Sequence, residues 1–253
     1  MLRQREASDF EENRFDADSF INSLEFDPKI ATFMVLDMRF KMPDSRKVRA
    51  AILISGSGTT MENLIQCANN GSCNIVPVGI ISSKSGVAGL AKAQKYGVPT
   101  QVVARKDFTD AAAFSRQTFK MVNAIKPDMI ILAGFLSYLH VPERYKGKIL
   151  NIHPSLLPKF GGKGMYGINV HRAVITSGET ETGCSVHYVD EEYDHGAIIL
   201  QRKVEVMQDD TPETLQNRVM AAERKAFPEA INLYAEKRLM QVAQSVRILP
   251  VKA

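Results

Sequence analysis

Apolar positions along the chain change their period several times, and each change marks an element. Ala50-Ala51-Ile52-Leu53-Ile54 runs without a polar interruption, the pattern of a strand covered on both faces, and ends in Ser55-Gly56-Ser57-Gly58-Thr59-Thr60. Helical spacing follows from Met61 to about Asn69, where Asn70-Gly71 stops it. Ile75 to Ile81 predicts a second strand, and Pro77 inside it implies an edge or a distorted position. Val87 to Tyr96 predicts a helix closed by Gly97, and Thr100 to Val103 a short strand. Asp110 to Ile125 predicts a helix with an acidic start, broken by Lys126-Pro127 before the buried strand Met129 to Ala133. Strands alternating with helices of about 10–15 residues predict βαβ units, hence an α/β fold with a wound, mainly parallel central sheet and helices on both faces.

Beyond residue 150 the alternation loosens. Ile149 to Ile152 predicts a short strand, followed by a Pro/Gly-rich passage from Pro154 to Gly167. A helix over Val170 to Ser177, a half-buried strand over Cys184 to Val189 and another over Ala197 to Val206 come next. Pro212 to Arg238 predicts a long helix opened by Thr211 as N-cap with Pro212 and Glu213 in its first turn. Pro228 should bend or split that helix. The regular pattern therefore spans residues 47–239, leaving 1–46 as an N-terminal extension and 240–253 as a C-terminal tail. The extension holds six of the twelve Phe and no Gly, scattered among acids. It reads either as a disordered tail, as a start placed too early (Met42 would open the following domain), or as carrying a short helix around Asp18 to Leu24 and a strand around Phe33 to Leu36.

Composition narrows the class. The 253 residues are 45% hydrophobic and 24% charged, a globular balance long enough to bury a full core. The longest uncharged apolar stretch, Met129 to Leu136, is strand-sized, and Glu6, Asp9, Glu11 and Glu12 occupy the region where a signal peptide needs apolar residues. Three cysteines (Cys67, Cys73, Cys184) without a C-x-x-C fit a reducing compartment, so a cytoplasmic protein is expected. The net charge of +4 is uneven: residues 1–46 carry −3 and 47–253 carry +7. Without basic blocks or interleaved aromatics, this surplus suits a small anionic substrate rather than nucleic acid or a membrane. No Cys/His/Asp grouping has zinc spacing, so no metal is expected.

Two motifs carry chemistry. The glycine loop between the first strand and its helix lets backbone N–H groups and a helix N-terminus face an anion. It lacks the lysine of a P-loop, and Met61 stands where a dinucleotide loop needs its third glycine, so a monophosphate is the better-supported ligand. Asn151-Ile152-His153-Pro154 puts a carboxamide and an imidazole two residues apart, on one face of a strand end. A carboxamide can hold a developing oxyanion while histidine moves a proton. An acid raising the histidine pKa would come from Asp190, Glu191, Glu192 or Asp194. His187 and Ser185 either face the same cleft or pack; His171 reads as structural.

Taken together, Ile-Ser-Gly-Ser-Gly-Thr at 54–59, Leu-Ala-Gly-Phe-Leu at 132–136, Asn-Ile-His-Pro-Ser-Leu-Leu-Pro-Lys at 151–159, Ser-Val-His-Tyr-Val at 185–189 and Asp-His-Gly-Ala-Ile-Ile at 194–199 closely resemble the phosphoribosylglycinamide formyltransferase (GAR transformylase) family, of Rossmann-like fold. The resemblance implies formyl transfer from the co-substrate 10-formyltetrahydrofolate to the amine of phosphoribosylglycinamide (GAR) in purine synthesis. It implies His153 as proton donor, Asn151 polarising the formyl oxygen and Asp194 raising the histidine pKa. Gly58, Thr59 and Thr60 would hold the substrate phosphate with Glu223 nearby, and Leu136, Ser137, Tyr138, Leu139 and Asn151 would line the folate pocket. Small-molecule partners are implied, with monomer or homodimer left open.

The chain departs from the family in places. Leu136-Ser137-Tyr138-Leu139 replaces the usual Met-Arg-Ile-Leu, and Ala111 stands where a second arginine is usual; Lys106, Arg105 or Arg116 could substitute. Phe160 to Gly167 is longer than the commonest form, and His195 replaces a glycine. Rival readings are a formyltetrahydrofolate deformylase, which normally carries an N-terminal regulatory domain, methionyl-tRNA formyltransferase, which needs a C-terminal RNA-binding domain, and an inactive phosphate-ligand sensor.

Overall fold

The computed structural model of the protein describes residues 47–242 and 245–251. The helix considered around Asp18 to Leu24 and the strand around Phe33 to Leu36 lie outside the described residues. The first half follows the predicted alternation: β1 (Val48–Ile54), α1 (Thr59–Asn69), β2 (Ile75–Ser82), α2 (Ala88–Lys95), β3 (Thr100–Val102), α3 (Ala111–Ile125) and β4 (Met129–Leu132). Then come β5 (Ile149–His153), α4 (Ile168–Thr176), β6 (Glu181–Tyr188), β7 (Ile198–Glu205), α5 (Pro212–Ala235), β8 (Leu239–Val242) and β9 (Ser245–Ile248). The sheet order is β3-β2-β1-β4-β5-β6-β7-β9-β8. Pairing is parallel from β3 to β5 and antiparallel at β5–β6 and β6–β7.

Alternation along β1 explains why the sheet is covered twice. Ala50, Ile52 and Ile54 pack with Met61 and Leu64 of α1, Val174 of α4 and Phe227 of α5. Leu53, one residue out of phase, packs on the other face with Phe114, Phe119 and Val122 of α3. The chain runs from β1 outward to β2 and β3, then returns to β4 and β5 on the other side. That reversal between β1 and β4 opens a crevice at the strand C-termini, where wound α/β sheets take their ligands.

Pro77 keeps its expected distorted position, at the register shift of the β1–β2 ladder and outside the Ile80 to Ser82 stretch that pairs with β3. Several other local expectations change. Pro228 does not split α5, which runs unbroken. Proline leaves the carbonyl of Arg224 without its helical donor, and the Asn63 side-chain amide of α1 donates to that oxygen at 3.2 Å. The strand read as half-buried is buried along nearly its whole length, from Thr182 to Tyr188, because β6 lies inside the sheet and its polar face is covered by the passage after β5. Residues read as a C-terminal tail form β8 and β9, a hairpin that extends the sheet through Ile198 and Ser245. Its four-residue strands are too short to stand out as alternation in the sequence.

Candidate active site

Antiparallel pairing of β5 with β6 sets the centre of the site. It places Asn151 opposite His187 and His153 opposite Ser185, two cross-strand pairs on one face. The Asn151 amide nitrogen lies 3.1 Å from His187 Nε2 and 3.4 Å from Asp194 Oδ1. His153 is 3% exposed, with Nδ1 at 3.3 Å from Asp194 Oδ2 and Nε2 at 2.8 Å from the Phe160 carbonyl oxygen. A carbonyl only accepts, so Nε2 bears a hydrogen. Both ring nitrogens of His153 thus face acceptors.

Asp194 is the acid that meets His153. It adopts a left-handed backbone (φ 54°) in the turn before β7, and its Oδ2 also accepts the Gly162 N–H at 3.0 Å. Burial by itself would raise this carboxyl, but the contacts with His153, His187 and the Gly162 N–H outweigh it and hold the group well below the usual carboxylate range. The other acids of the turn are engaged elsewhere or exposed. Asp190 pairs with His195 at 2.9 Å and accepts the Glu192 N–H, while Glu191 and Glu192 are exposed.

A cleft of about 430 Å³ lies beside this cluster. Asn151, His153 and Asp194 line it together with Thr60 of the glycine loop, Leu136 and Glu223. Burial pushes the half-buried Glu223 carboxyl up to about 7, against the opposing influence of His153. Ser137, Tyr138 and Leu139 line a smaller recess of about 70 Å³ on the far side of Asn151, reached also by His187 and Asp194. Phe135, Asn151, Tyr193 and Asp194 border both spaces.

The glycine loop is shaped by close packing. Gly58 caps α1 in a left-handed conformation (φ 69°), and a Cβ there would lie 2.7 Å from the Gly89 Cα. Thr60 borders the cleft; Gly58 and Thr59 are not among its lining residues, and Thr59 Oγ1 sits 3.2 Å from Ser57 Oγ. Ser55 ties β1 to the segment after β4, its hydroxyl accepting the Leu136 N–H at 2.9 Å.

Two expected site residues lie elsewhere. Ser185 is fully buried: its hydroxyl donates to the Ser155 carbonyl and accepts from Leu157 N–H and Gln201, so it pins the Pro-rich passage rather than facing the cleft. Lys106 is exposed in the short turn after β3 and lines neither space. Of the other substitutes considered, Arg105 donates to the Phe108 carbonyl and stacks over Phe114, and Arg116 is exposed on α3. His171, read as structural, is a buried wall of the cleft whose Nδ1 has no partner; burial lowers it to about 4, with the charge of His153 adding to the effect. The extended passage supplies further wall through Gly162, Lys163, Met165 and Tyr166, and α5 through Gln216 and Met220. Helical phasing from Glu223 (i−3, i−7) could have pointed to the last two. Among the described residues no group of three or more His, Cys, Asp or Glu could hold a metal ion, and no helix is long and apolar enough to cross a membrane.

The family description for formyl transferases matches residues 48–231, and the chain belongs to that family. It is 35% identical to the phosphoribosylglycinamide formyltransferase of Haemophilus influenzae, over 76% of this chain and 89% of that protein. It is 44% identical to the trifunctional purine biosynthetic protein adenosine-3 of Bos taurus, over 75% of this chain but only 18% of that one, so it spans less than a fifth of this relative. Among solved structures, the glycinamide ribonucleotide transformylase 1 of Symbiobacterium toebii superimposes with a TM-score of 0.76 at 34% identity, covering 81% of this chain and 95% of that one. A formyltetrahydrofolate deformylase from Pseudomonas syringae shares the fold at 21% identity, with a TM-score of 0.74 over 90% of this chain and 77% of its own.

Proposed function

We propose that the protein transfers the formyl group of 10-formyltetrahydrofolate to the amine of GAR, a step of de novo purine biosynthesis. The observation carrying this reading is that His153, Asn151 and Asp194 meet in one cleft that also reaches Thr60 at the start of α1. An anion at Thr60 would meet free N–H groups and the positive end of the helix. Thr59 and Gly58 support that end of the cleft, and Glu223 lines the same cleft as the histidine. Leu136 and the recess formed by Ser137, Tyr138 and Leu139 offer apolar cover for the folate. No arginine replaces the missing ones in either space, so folate-tail contacts rest on other groups.

In the proposed reaction the amine nitrogen of GAR attacks the formyl carbon. The carbonyl π bond opens onto oxygen, and one N–H of Asn151 stabilises the oxyanion. The amine loses a proton, N10 of the folate gains one, and the oxyanion collapses to re-form the carbonyl as the C–N10 bond breaks, giving formyl-GAR and tetrahydrofolate. His153 delivers the proton to the leaving nitrogen. Asp194 orients the ring and stands opposite its charge. Steady-state assay of the full chain with and without GAR tests the reading: tetrahydrofolate should form only when GAR is present. Formate release independent of GAR would make the protein a deformylase, and no turnover with either would leave it a ligand-binding relative.

A further inference from the structure

Asn151 can polarise a carbonyl only if its nitrogen, not its oxygen, faces the reacting carbon. Side-chain amides flip readily about their last torsion, so something must choose the end presented. We propose that His187 is the positioning residue that makes this choice, through the lone pair on its Nε2. The inference rests on Asn151 being the oxyanion donor of the proposed function.

The hydrogen-bond chain carries the argument. His187 Nδ1 lies 2.7 Å from the Tyr188 carbonyl oxygen, which only accepts, so Nδ1 bears the hydrogen. In a neutral ring this leaves Nε2 as an acceptor, and the Asn151 amide nitrogen stands 3.1 Å away. Reversing the amide would set its oxygen lone pairs against that of Nε2. The alternative, a doubly protonated His187, would face Asp194 Oδ1 at 3.7 Å, but would also present Nε2–H to the nearer Asn151 amide nitrogen at 3.1 Å, a donor against a donor. The Asp194 oxygens are engaged with His153, Gly162 and Asn151. Tyr138 and Tyr193 are the remaining titratable groups lining the recess beside Asp190 and Glu192, and the Tyr193 hydroxyl is pushed up by burial, with Tyr138 adding to the effect. His187 is 2% exposed, so water does not compete for the lone pair.

Of the two amide hydrogens on Asn151, one is thus fixed on His187. The second makes only a long contact of 3.4 Å with Asp194, and it is the one free to turn to the formyl oxygen. The lone pair of His187, at the shorter of the two contacts, thereby sets the polarity of the donor while leaving one hydrogen for the reaction.

The first test is 15N-histidine NMR of the full chain near neutral pH. A neutral His187 carrying its hydrogen on Nδ1 is expected; an Nε2–H tautomer or a doubly protonated ring overturns the proposal. The second is kinetic. His187→Phe, which lacks the acceptor, should lower kcat by about 10²-fold with KM for GAR within about twofold, while His187→Gln, which can offer an amide oxygen, should recover part of the loss. In an Asn151→Ala background His187→Phe should cost little more. A loss as large there as in the parent, or no advantage of Gln over Phe, contradicts the assignment. Should the Phe variant fail to fold, the NMR result on the unaltered protein still decides. If the parent lacks GAR formylation altogether, the proposed function fails and the tautomer result stands separately.

Discussion

Asp194 sits where a carboxyl would prefer to be neutral, yet it is held ionised by His153, His187 and the Gly162 N–H. Its folded-state pKa is therefore depressed, and its stabilising contribution is complete above the unfolded value of about 3.9 and lost as pH falls below it. Urea unfolding between pH 5 and pH 3 should show Asp194→Asn losing less stability on acidification than the parent; parallel losses would assign acid sensitivity to other groups. Glu223 behaves oppositely. Burial raises it to about 7, so the folded state holds its proton more tightly than the unfolded chain does. Its stabilising effect is present below about pH 4.3 and lost as pH rises through 7. Glu223→Gln should raise the Tm at pH 8 more than at pH 5, and an equal change at both would contradict the raised pKa. For the chemistry, Asn151→Ala and His153→Ala should each lower kcat by about 10²–10³-fold without loss of folding. Circular dichroism and steady-state rates check both halves of that expectation. Asn151 and His153 stood out in the sequence because strand periodicity puts i and i+2 on one face. Which of four acids served the histidine came from the family resemblance and not from spacing, since it depended on Asp194 taking a left-handed backbone and on Asp190 pairing with His195.

Elements came through where local forces decide them and failed where neighbours do. β1 and β4 were readable as uninterrupted apolar runs because both faces are buried. Continuity of α5 through Pro228 was not readable, since the orphaned carbonyl finds its donor in Asn63, distant in sequence. The role of Gly89 was also hidden. In α2 it lies against the glycine loop: a Cβ there would approach the Gly56 carbonyl oxygen to 2.9 Å and Ile54 Cδ1 to 2.6 Å. Gly89→Ala should destabilise the protein by about 1–3 kcal/mol and raise KM for GAR more than KM for the folate. Unchanged stability by urea denaturation would mean the loop yields to α2 without strain. The two-residue phase of β6 hid its burial for a related reason. Ser185 and His187 read as facing the cleft or packing; one fastens the passage after β5 and the other holds Asn151.

At the level of the whole molecule, the order of strands does the assembling. Because the chain reverses between β1 and β4, the glycine loop after β1, the Ala133-Gly134-Phe135 turn after β4 and the Asn-x-His end of β5 open on one side of the sheet. Antiparallel β6 and β7 then bring the turn carrying Asp194 back over the same end. Family membership follows from that frame and its match over residues 48–231, while the reaction depends on what the cleft holds. The most direct measurement follows the formyl carbon itself. With 13C-labelled 10-formyltetrahydrofolate and GAR present together in water, NMR of the reaction should show the label passing to the GAR amine, and passing far more slowly with Asn151→Ala or His153→Ala. Label appearing as free formate, or transfer undiminished in both variants, would contradict the account.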